Sequence, residues 1–155
     1  MTARMAIALL SLVGILIALY LTLYKIGVVG DLSCSIGSCE TVNTSRWATL
    51  FGLPVAAWGL AAYVALFALS VAGTTERYAG SRGLSWLLVA IAGWSVLFSA
   101  WLTYLELFVI DAICIWCVTS AFVLVAIFVA SVVDLKGAKG ATGAMSAKGA
   151  ELQRP

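Results

Sequence analysis

Histidine is absent from this chain of 155 residues, and charged side chains make up only 10% of it. No imidazole is therefore available as a general base or a metal ligand. Soluble globular domains carry about 25% charged residues, and a chain this short cannot bury a 63% hydrophobic composition in a water-soluble core. The net charge of +2, without a basic cluster, gives no expectation of nucleic-acid binding. The composition predicts an integral membrane protein in contact with a lipid bilayer.

Four apolar runs are each long enough to cross a bilayer, which takes about 20 residues. They cover approximately residues 5–24, 54–72, 84–107 and 113–133. The predicted fold is an all-α integral membrane protein, a four-transmembrane-helix bundle. We divide the chain into a membrane domain over residues 1–133 and a small, polar, glycine-rich cytoplasmic tail over residues 134–155, which we expect to be disordered.

Most lysines and arginines fall on one side of this predicted bundle. The long loop over residues 25–52 contains only two basic residues, Lys25 and Arg46. Seven others belong to the termini and the 73–83 connection, namely Arg4, Arg77, Arg82, Lys136, Lys139, Lys148 and Arg154. Because basic loops stay in the cytoplasm, we expect cytoplasmic termini and an external long loop. In a bacterium, this describes a cytoplasmic (inner) membrane protein whose outer face meets an oxidising compartment.

All four cysteines lie on the predicted outer side, as two close pairs. Cys34 and Cys39 flank the flexible segment SIGS, which lets their Cα atoms reach the roughly 4.4–6.8 Å that a disulfide requires. Cys114 and Cys117 form a C-x-x-C at the start of the fourth span, where a helix N-terminus favours the thiolate. Thiolates carry out disulfide exchange. A mobile aqueous pair beside a fixed pair at the lipid boundary therefore suits a relay of two electrons into the membrane.

Other uses of four cysteines stay open from the residues alone. A C-x-x-C can form a zinc site when another pair supplies two more thiolates, although we predict no metal here. Two structural disulfides would make the chain a non-catalytic membrane protein. A carrier of electrons from cytoplasmic thiols would need cysteines at mid-membrane or on the inner side, which the predicted topology lacks.

Two stretches, "CETVNTSRWATLFGLPVAAWGLAAY" and "LFSAWLTYLELFVIDAICIWC", resemble the vitamin K epoxide reductase family, specifically its bacterial homologues. The shared pattern is a loop cysteine, Val and Ser, a short amphipathic piece, Gly-x-Pro, and a C-x-x-C opening the fourth helix. The resemblance covers residues 1 to about 133.

The resemblance implies a four-helix bundle that encloses a quinone, with a short interfacial helix in the long outer loop. It implies a quinone-dependent thiol–disulfide oxidoreductase that reoxidises a thioredoxin-like (DsbA-like) secreted oxidase and so supports disulfide bond formation. The acceptor would be ubiquinone or menaquinone. Many bacterial members carry a fused thioredoxin-like domain, and since this chain stops at Pro155 we expect the partner to be a separate protein.

The resemblance also assigns roles to the cysteines. Cys34 and Cys39 become the shuttle pair, and Cys114 and Cys117 the active-site pair. Cys117 would be the thiolate nearest the quinone, and Cys114 would exchange with the loop. We expect Cys39 to meet Cys114, and Cys34 to meet the partner, because Cys39 lies closer to the membrane-bound segment.

Three further residues are candidates for the quinone pocket. Ser45 matches the family's serine or threonine near the quinone, and it is equally a candidate N-cap for the segment RWATLFG. Trp47 and Phe51 could form a lid over the pocket, although aromatic residues are common at membrane interfaces without such a role. The predicted quinone-binding residues are Cys117, Ser45 and Phe51.

Some positions depart from the animal members of the family. Their quinone-holding Asn and Tyr correspond to Val55 and Ala121 here, which favours plain quinone reduction over epoxide chemistry. Without histidine, proton transfer falls to water, hydroxyls or thiols. Glu106 and Asp111 flank the tight outer turn and are candidates for a proton relay, but we expect them to be solvated interface charges.

Overall fold

A computed structural model describes residues 3–31, 34, 37–75, 77–78 and 81–152, with side chains as far as residue 137. The long helices are α1 (Ala3–Lys25), α3 (Val55–Ala72), α4 (Arg82–Leu105) and α5 (Ile115–Leu152). Between α1 and α3 lie the short helix α2 (Cys39–Thr44), a 3₁₀ turn (Arg46–Ala48) and the strands β1 (Thr49–Leu50) and β2 (Leu53–Pro54). A π-helical turn (Glu106–Ile110) continues α4.

Four helical segments are long and apolar enough to cross a membrane: Ala3–Lys25, Val55–Ala72, Arg82–Ile110 and Ile115–Gly137. They confirm the predicted all-α bundle of four membrane-spanning helices. The short helix in the long loop is also present, but it occupies Cys39–Thr44 and not the segment RWATLFG. That segment instead forms the 3₁₀ turn and the start of a small antiparallel hairpin, in which Leu50 pairs with Leu53.

Helix α5 runs on past its membrane-spanning part to Leu152. This differs from the irregular tail predicted for residues 134–155, of which the last three lie outside the described residues. The composition explains the difference, because the tail combines its glycines with many alanines and lysines, which are good helix formers, and its only proline is the final residue.

The centre of the bundle is packed around Tyr63, where α1 and α5 both contact α3. A side chain at Gly14 of α1 would collide with the Tyr63 ring, so glycine is what lets the two helices approach. The Tyr63 hydroxyl hydrogen-bonds the Ser120 hydroxyl of α5 at 2.7 Å. The buried core consists of Ile7, Ala18, Tyr63, Leu66, Leu88, Ala92, Leu124 and Ile127.

Arg4 joins the elements at one end of the bundle. Its Nε donates to Asp134 Oδ1 at 3.0 Å, and its Nη2 donates to Ser85 Oγ at 3.2 Å. Its Nη1 donates to the carbonyl oxygens of Gly73 and Tyr78, at 2.5 and 2.9 Å. The start of α1, the α3–α4 connection and this part of α5 therefore share one end, and the long loop and the start of α5 occupy the other.

Candidate functional site

The two cysteine pairs meet at the long-loop end of the bundle. Cys34 and Cys39 form a disulfide with a Cα–Cα distance of 6.2 Å, while Cys114 and Cys117 are free thiols. Cys39 is 1% exposed and Cys114 is 0% exposed, and both belong to one buried cluster. Cys34 and Cys117 pack against that cluster and are only partly buried. The structure thus brings all four predicted cysteines together.

A backbone contact fixes the cysteine loop against the start of α5. Gly37 forms an isolated antiparallel bridge with Cys114, and the Ser38 N–H donates to the Ile113 carbonyl oxygen at 2.9 Å. Gly37 has a φ of 95°, and a Cβ there would collide with the Ile113 carbonyl oxygen. Only glycine tolerates both conditions. The glycine that the sequence suggested as a source of loop flexibility therefore also serves as a docking point that holds Cys39 beside Cys114.

The surroundings of Cys114 favour a thiolate. A hydrogen bond from the Cys117 thiol lowers the pKa of Cys114 from its ordinary value, against the opposing effects of burial and of the Glu106 charge. The Asn43 amide nitrogen donates to the Cys39 carbonyl at 3.0 Å and lies 3.9 Å from Cys114 Sγ. One amide therefore touches both sides of the contact between the loop pair and the C-x-x-C.

Glu106 is not the solvated interface charge that the sequence suggested, because it is only 4% exposed. Its Oε2 accepts the Cys114 N–H at 3.3 Å, and its carboxylate hydrogen-bonds the Cys117 side chain. The turn that follows explains this buried position. The π-helical residues and Asp111, which has a left-handed φ of 51°, fold the chain back over Glu106. The Ala112 N–H then donates to the Glu106 backbone carbonyl at 3.1 Å. Asp111 is exposed, as expected.

A cavity of about 500 Å³ lies inside the bundle beside Cys117 and Glu106. This volume is within the roughly 300–1,000 Å³ typical of small-molecule sites. Most of the wall is apolar, and the exposed Trp58 of α3 and Trp94 of α4 belong to it, so the cavity reaches the outer surface between these helices. The free thiol of Cys117 and the carboxyl group of Glu106 are two of the polar groups in this mostly apolar wall.

The three pocket candidates from the loop have different outcomes. Ser45 lines the cavity and occupies the N-cap position of the 3₁₀ turn Arg46–Ala48, but its side chain makes no capping hydrogen bond. Its hydroxyl donates instead to the Val42 carbonyl at 2.7 Å. Trp47 also lines the cavity and packs edge-on against Trp101, at a centroid distance of 6.3 Å. Phe51 is not part of the wall: it sits at the hairpin tip and is 88% exposed. The β1–β2 hairpin holds Phe51 in its exposed turn, away from the cavity.

Sequence reasoning missed Asn43 and did not foresee the contacts of Glu106. A signal for Asn43 was available, because it follows Cys39 by four residues and so shares its face of a helix. Glu106 had no comparable local signal, since its position depends on the fold of the turn that follows it.

Among the described residues, no group of three or more Cys, Asp or Glu side chains is arranged to hold a metal ion. With Cys34 and Cys39 joined, two free thiols remain, and a structural zinc site takes four ligands.

Comparison with known protein families finds a match over most of the chain. The model described as the vitamin K epoxide reductase family matches residues 5–132. The matched segment contains both cysteine pairs and every residue that lines the cavity.

Proposed function

Because the chain belongs to the vitamin K epoxide reductase family, a family of membrane thiol–disulfide oxidoreductases, we propose that it transfers two electrons from a reduced extracytoplasmic protein, through its two cysteine pairs, to a membrane quinone. The partner is a separate thioredoxin-like protein, and its reoxidation supports disulfide bond formation. The observation that carries the proposal is the shared buried cluster of Cys39 and Cys114 beside a cavity that Cys117 lines.

The exposure of the four sulfurs supports an order of exchange. Cys34 is partly exposed and Cys39 is buried, so a partner thiolate attacks Cys34 Sγ, breaks the Cys34–Cys39 bond and releases Cys39 as a thiolate. Cys39 then attacks Cys114 Sγ in the oxidised C-x-x-C and releases Cys117. The second partner thiol displaces Cys34, which in turn displaces Cys114 from Cys39.

Atoms and electrons balance over this sequence of exchanges. The partner has become a disulfide, the Cys34–Cys39 bond has formed again, and Cys114 and Cys117 are reduced. At this stage the two electrons on Cys114 and Cys117 are available for the quinone.

The apolar cavity supports a quinone as the electron acceptor. The quinone is reduced to hydroquinone while Cys114 and Cys117 form a disulfide, so two electrons and two protons leave the thiols. Cys117 and Ser45 are the predicted residues that line this space, and we keep both as quinone-binding candidates. The chain's own contribution is to hold the ring against the Cys117 sulfur and to keep bulk water away from it.

The distribution of basic residues supports an orientation with both termini in the cytoplasm. Arg4 and Arg77 lie toward the end where the α3–α4 connection sits, whereas Lys25 and Arg46 lie toward the cysteine end. The excess of Lys and Arg at the first end is typical of a cytoplasmic face. Both cysteine pairs would then face the oxidising side of a bacterial inner membrane.

A reconstituted assay tests this function. Purified protein in detergent is mixed with a reduced thioredoxin-like protein and a soluble short-chain quinone, and the quinone absorbance is followed. The wild type should reduce the quinone, and Cys117→Ala should abolish turnover while the protein stays folded. Quinone reduction by Cys117→Ala at the wild-type rate would overturn the assignment.

Cys34→Ala provides a matched control for the order of exchange. This variant should lose activity with the thioredoxin-like protein but keep activity with a small dithiol, which can reduce the C-x-x-C directly. Loss of both activities, in a folded variant, would contradict the role of Cys34 as the contact with the partner.

A further inference from the structure

One buried ionisable group has no part in the exchange described above. Glu106 is 4% exposed and lies within a segment that can span a membrane. In the part of the chain that the structure describes, no lysine or arginine forms an ion pair with it. Burying a carboxylate without a cation is costly, and ionisable residues inside membranes are functional candidates by default.

The contacts of Glu106 link the reacting sulfur with the cavity. Its carboxylate hydrogen-bonds the Cys117 side chain, and the same residue lines the cavity wall. The Cys117 thiol also lies within hydrogen-bonding reach of Cys114. The single proton of Cys117 therefore has two neighbouring acceptors, and of these two Glu106 lines the cavity whereas Cys114 does not.

We propose that Glu106 is a catalytic residue that delivers a proton to the quinone and accepts the proton of the Cys117 thiol as the C-x-x-C is oxidised. This rests on the proposed function. The O–H proton of Glu106 moves to one quinone oxygen, and the S–H bond of Cys117 breaks as a new O–H bond forms on Glu106. The two electrons come from the sulfurs as the Cys114–Cys117 bond forms. Cys114 releases the second proton to water, and the second quinone oxygen takes one from water.

A purely structural role for Glu106 is the competing explanation, because its Oε2 also accepts the Cys114 N–H at the start of α5. Glu106→Gln separates the two roles. The amide keeps an oxygen that accepts this N–H and has nearly the same shape, but it does not take up a proton from a thiol. A structural role predicts wild-type turnover in this variant, and a proton-transfer role predicts a large loss.

The experiment uses the full chain in detergent, a small dithiol as reductant and a soluble short-chain quinone, so that the partner protein is not involved. Glu106→Gln should reduce the quinone about a hundredfold more slowly than the wild type, since general acid–base groups contribute roughly 10²- to 10⁴-fold. Glu106→Asp, which restores a carboxyl group one methylene shorter, should recover part of the rate. Wild-type rates in a folded Glu106→Gln would overturn the proposal.

Asp111→Asn is the matched control, because Asp111 is an exposed carboxylate five residues further on. Its left-handed φ is one that asparagine tolerates. This variant should keep wild-type turnover, and a loss equal to that of Glu106→Gln would show a general effect of the turn and overturn the proposal.

Two further readouts separate this proposal from its premise. If the wild type itself reduces no quinone, the proposed function fails before Glu106 is considered. If Glu106→Gln is slow, alkylation of the thiols released by a reduced thioredoxin-like protein should show that the Cys34–Cys39 disulfide still opens at the wild-type rate. A matching slowdown of that opening would contradict a role confined to the quinone side.

Discussion

Cys114 is the residue at which the loop pair and the C-x-x-C come together. It is fully buried, bridged to Gly37 through the backbone, and within reach of the Asn43 amide. The Cys117 thiol lowers its pKa by hydrogen bonding. Because the thiolate is the form that exchanges disulfides, Cys114 should be reactive at a lower pH than an ordinary cysteine.

The pH dependence of Cys114 alkylation follows from this contact. In protein with the Cys34–Cys39 bond intact, the midpoint of the rate profile should lie below the ordinary cysteine value of about 8.5. A lowered pKa means that the thiolate is present at pH values where an unperturbed thiol is still protonated. Mass spectrometry of the labelled peptide measures the rate separately from that of Cys117.

Cys117→Ala supplies the comparison, because it removes the hydrogen-bond donor. The midpoint for Cys114 should then move to higher pH, since the largest cause that lowers its pKa is lost, while burial, Glu106 and the backbone hydrogen bonds of residues 116 and 117 remain. An unchanged midpoint in this variant would show that the Cys117 thiol is not the cause.

At the scale of single residues, the sequence predicted the four cysteines of the candidate site, but not all of the side chains that contact them. The four cysteines were identifiable because their spacing carries chemistry. A serine before an amphipathic segment is a candidate N-cap, and Ser45 does occupy that position before the 3₁₀ turn, but without a side-chain capping bond because α2 ends at the same residue. Phe51 and Glu106 were misjudged because a tight hairpin and a π-helical turn, neither of which leaves a local pattern, decide where their side chains point.

A single glycine, Gly14, allows the close contact between α1 and α3. The Tyr63 ring fills the space in which a Gly14 side chain would stand, and the Tyr63 hydroxyl reaches α5 through Ser120. Three helices therefore depend on one small residue. In a membrane, where apolar side chains gain little by leaving lipid, such packing provides much of the association energy.

Gly14→Ala should destabilise the bundle, because overpacking of a filled core costs about 1–3 kcal/mol. The measurement is the thermal unfolding midpoint in detergent. Gly59→Ala is the matched control in α3, since nothing lies within 4 Å of its added Cβ, and it should leave the midpoint unchanged or slightly raised. Equal midpoints for the two variants would contradict the account of the α1–α3 contact.

Element positions were predictable where hydropathy alone decides them. The four membrane-spanning helices follow from long apolar runs, and their observed bounds lie close to the predicted ones. The short helix α2 begins at Cys39, earlier in the loop than predicted. Its position depends on contacts with residues 112–114, which are far away in sequence. The helical continuation of α5 follows from the helix propensity of its alanines and lysines, whereas the glycine content alone predicted an irregular tail.

The whole molecule has two different ends, and this is what makes a one-sided relay feasible. Arg4 and its partners close one end with an ion pair and carbonyl contacts. The other end contains both cysteine pairs and lies next to the cavity. The sequence predicts the two ends, because four membrane crossings put both termini on one side and the long loop on the other. The contact between that loop and the start of α5 could not be predicted, because it joins residues that are far apart in sequence.

The direct test of the central claim is a trapped disulfide between the loop and the C-x-x-C. In the double variant Cys34→Ala/Cys117→Ala, only Cys39 and Cys114 remain, and mild oxidation should join them within one chain. Peptide mass spectrometry without reduction should find the Cys39–Cys114 linkage as the main product. Two free thiols, or only linkages between separate chains, would contradict the relay.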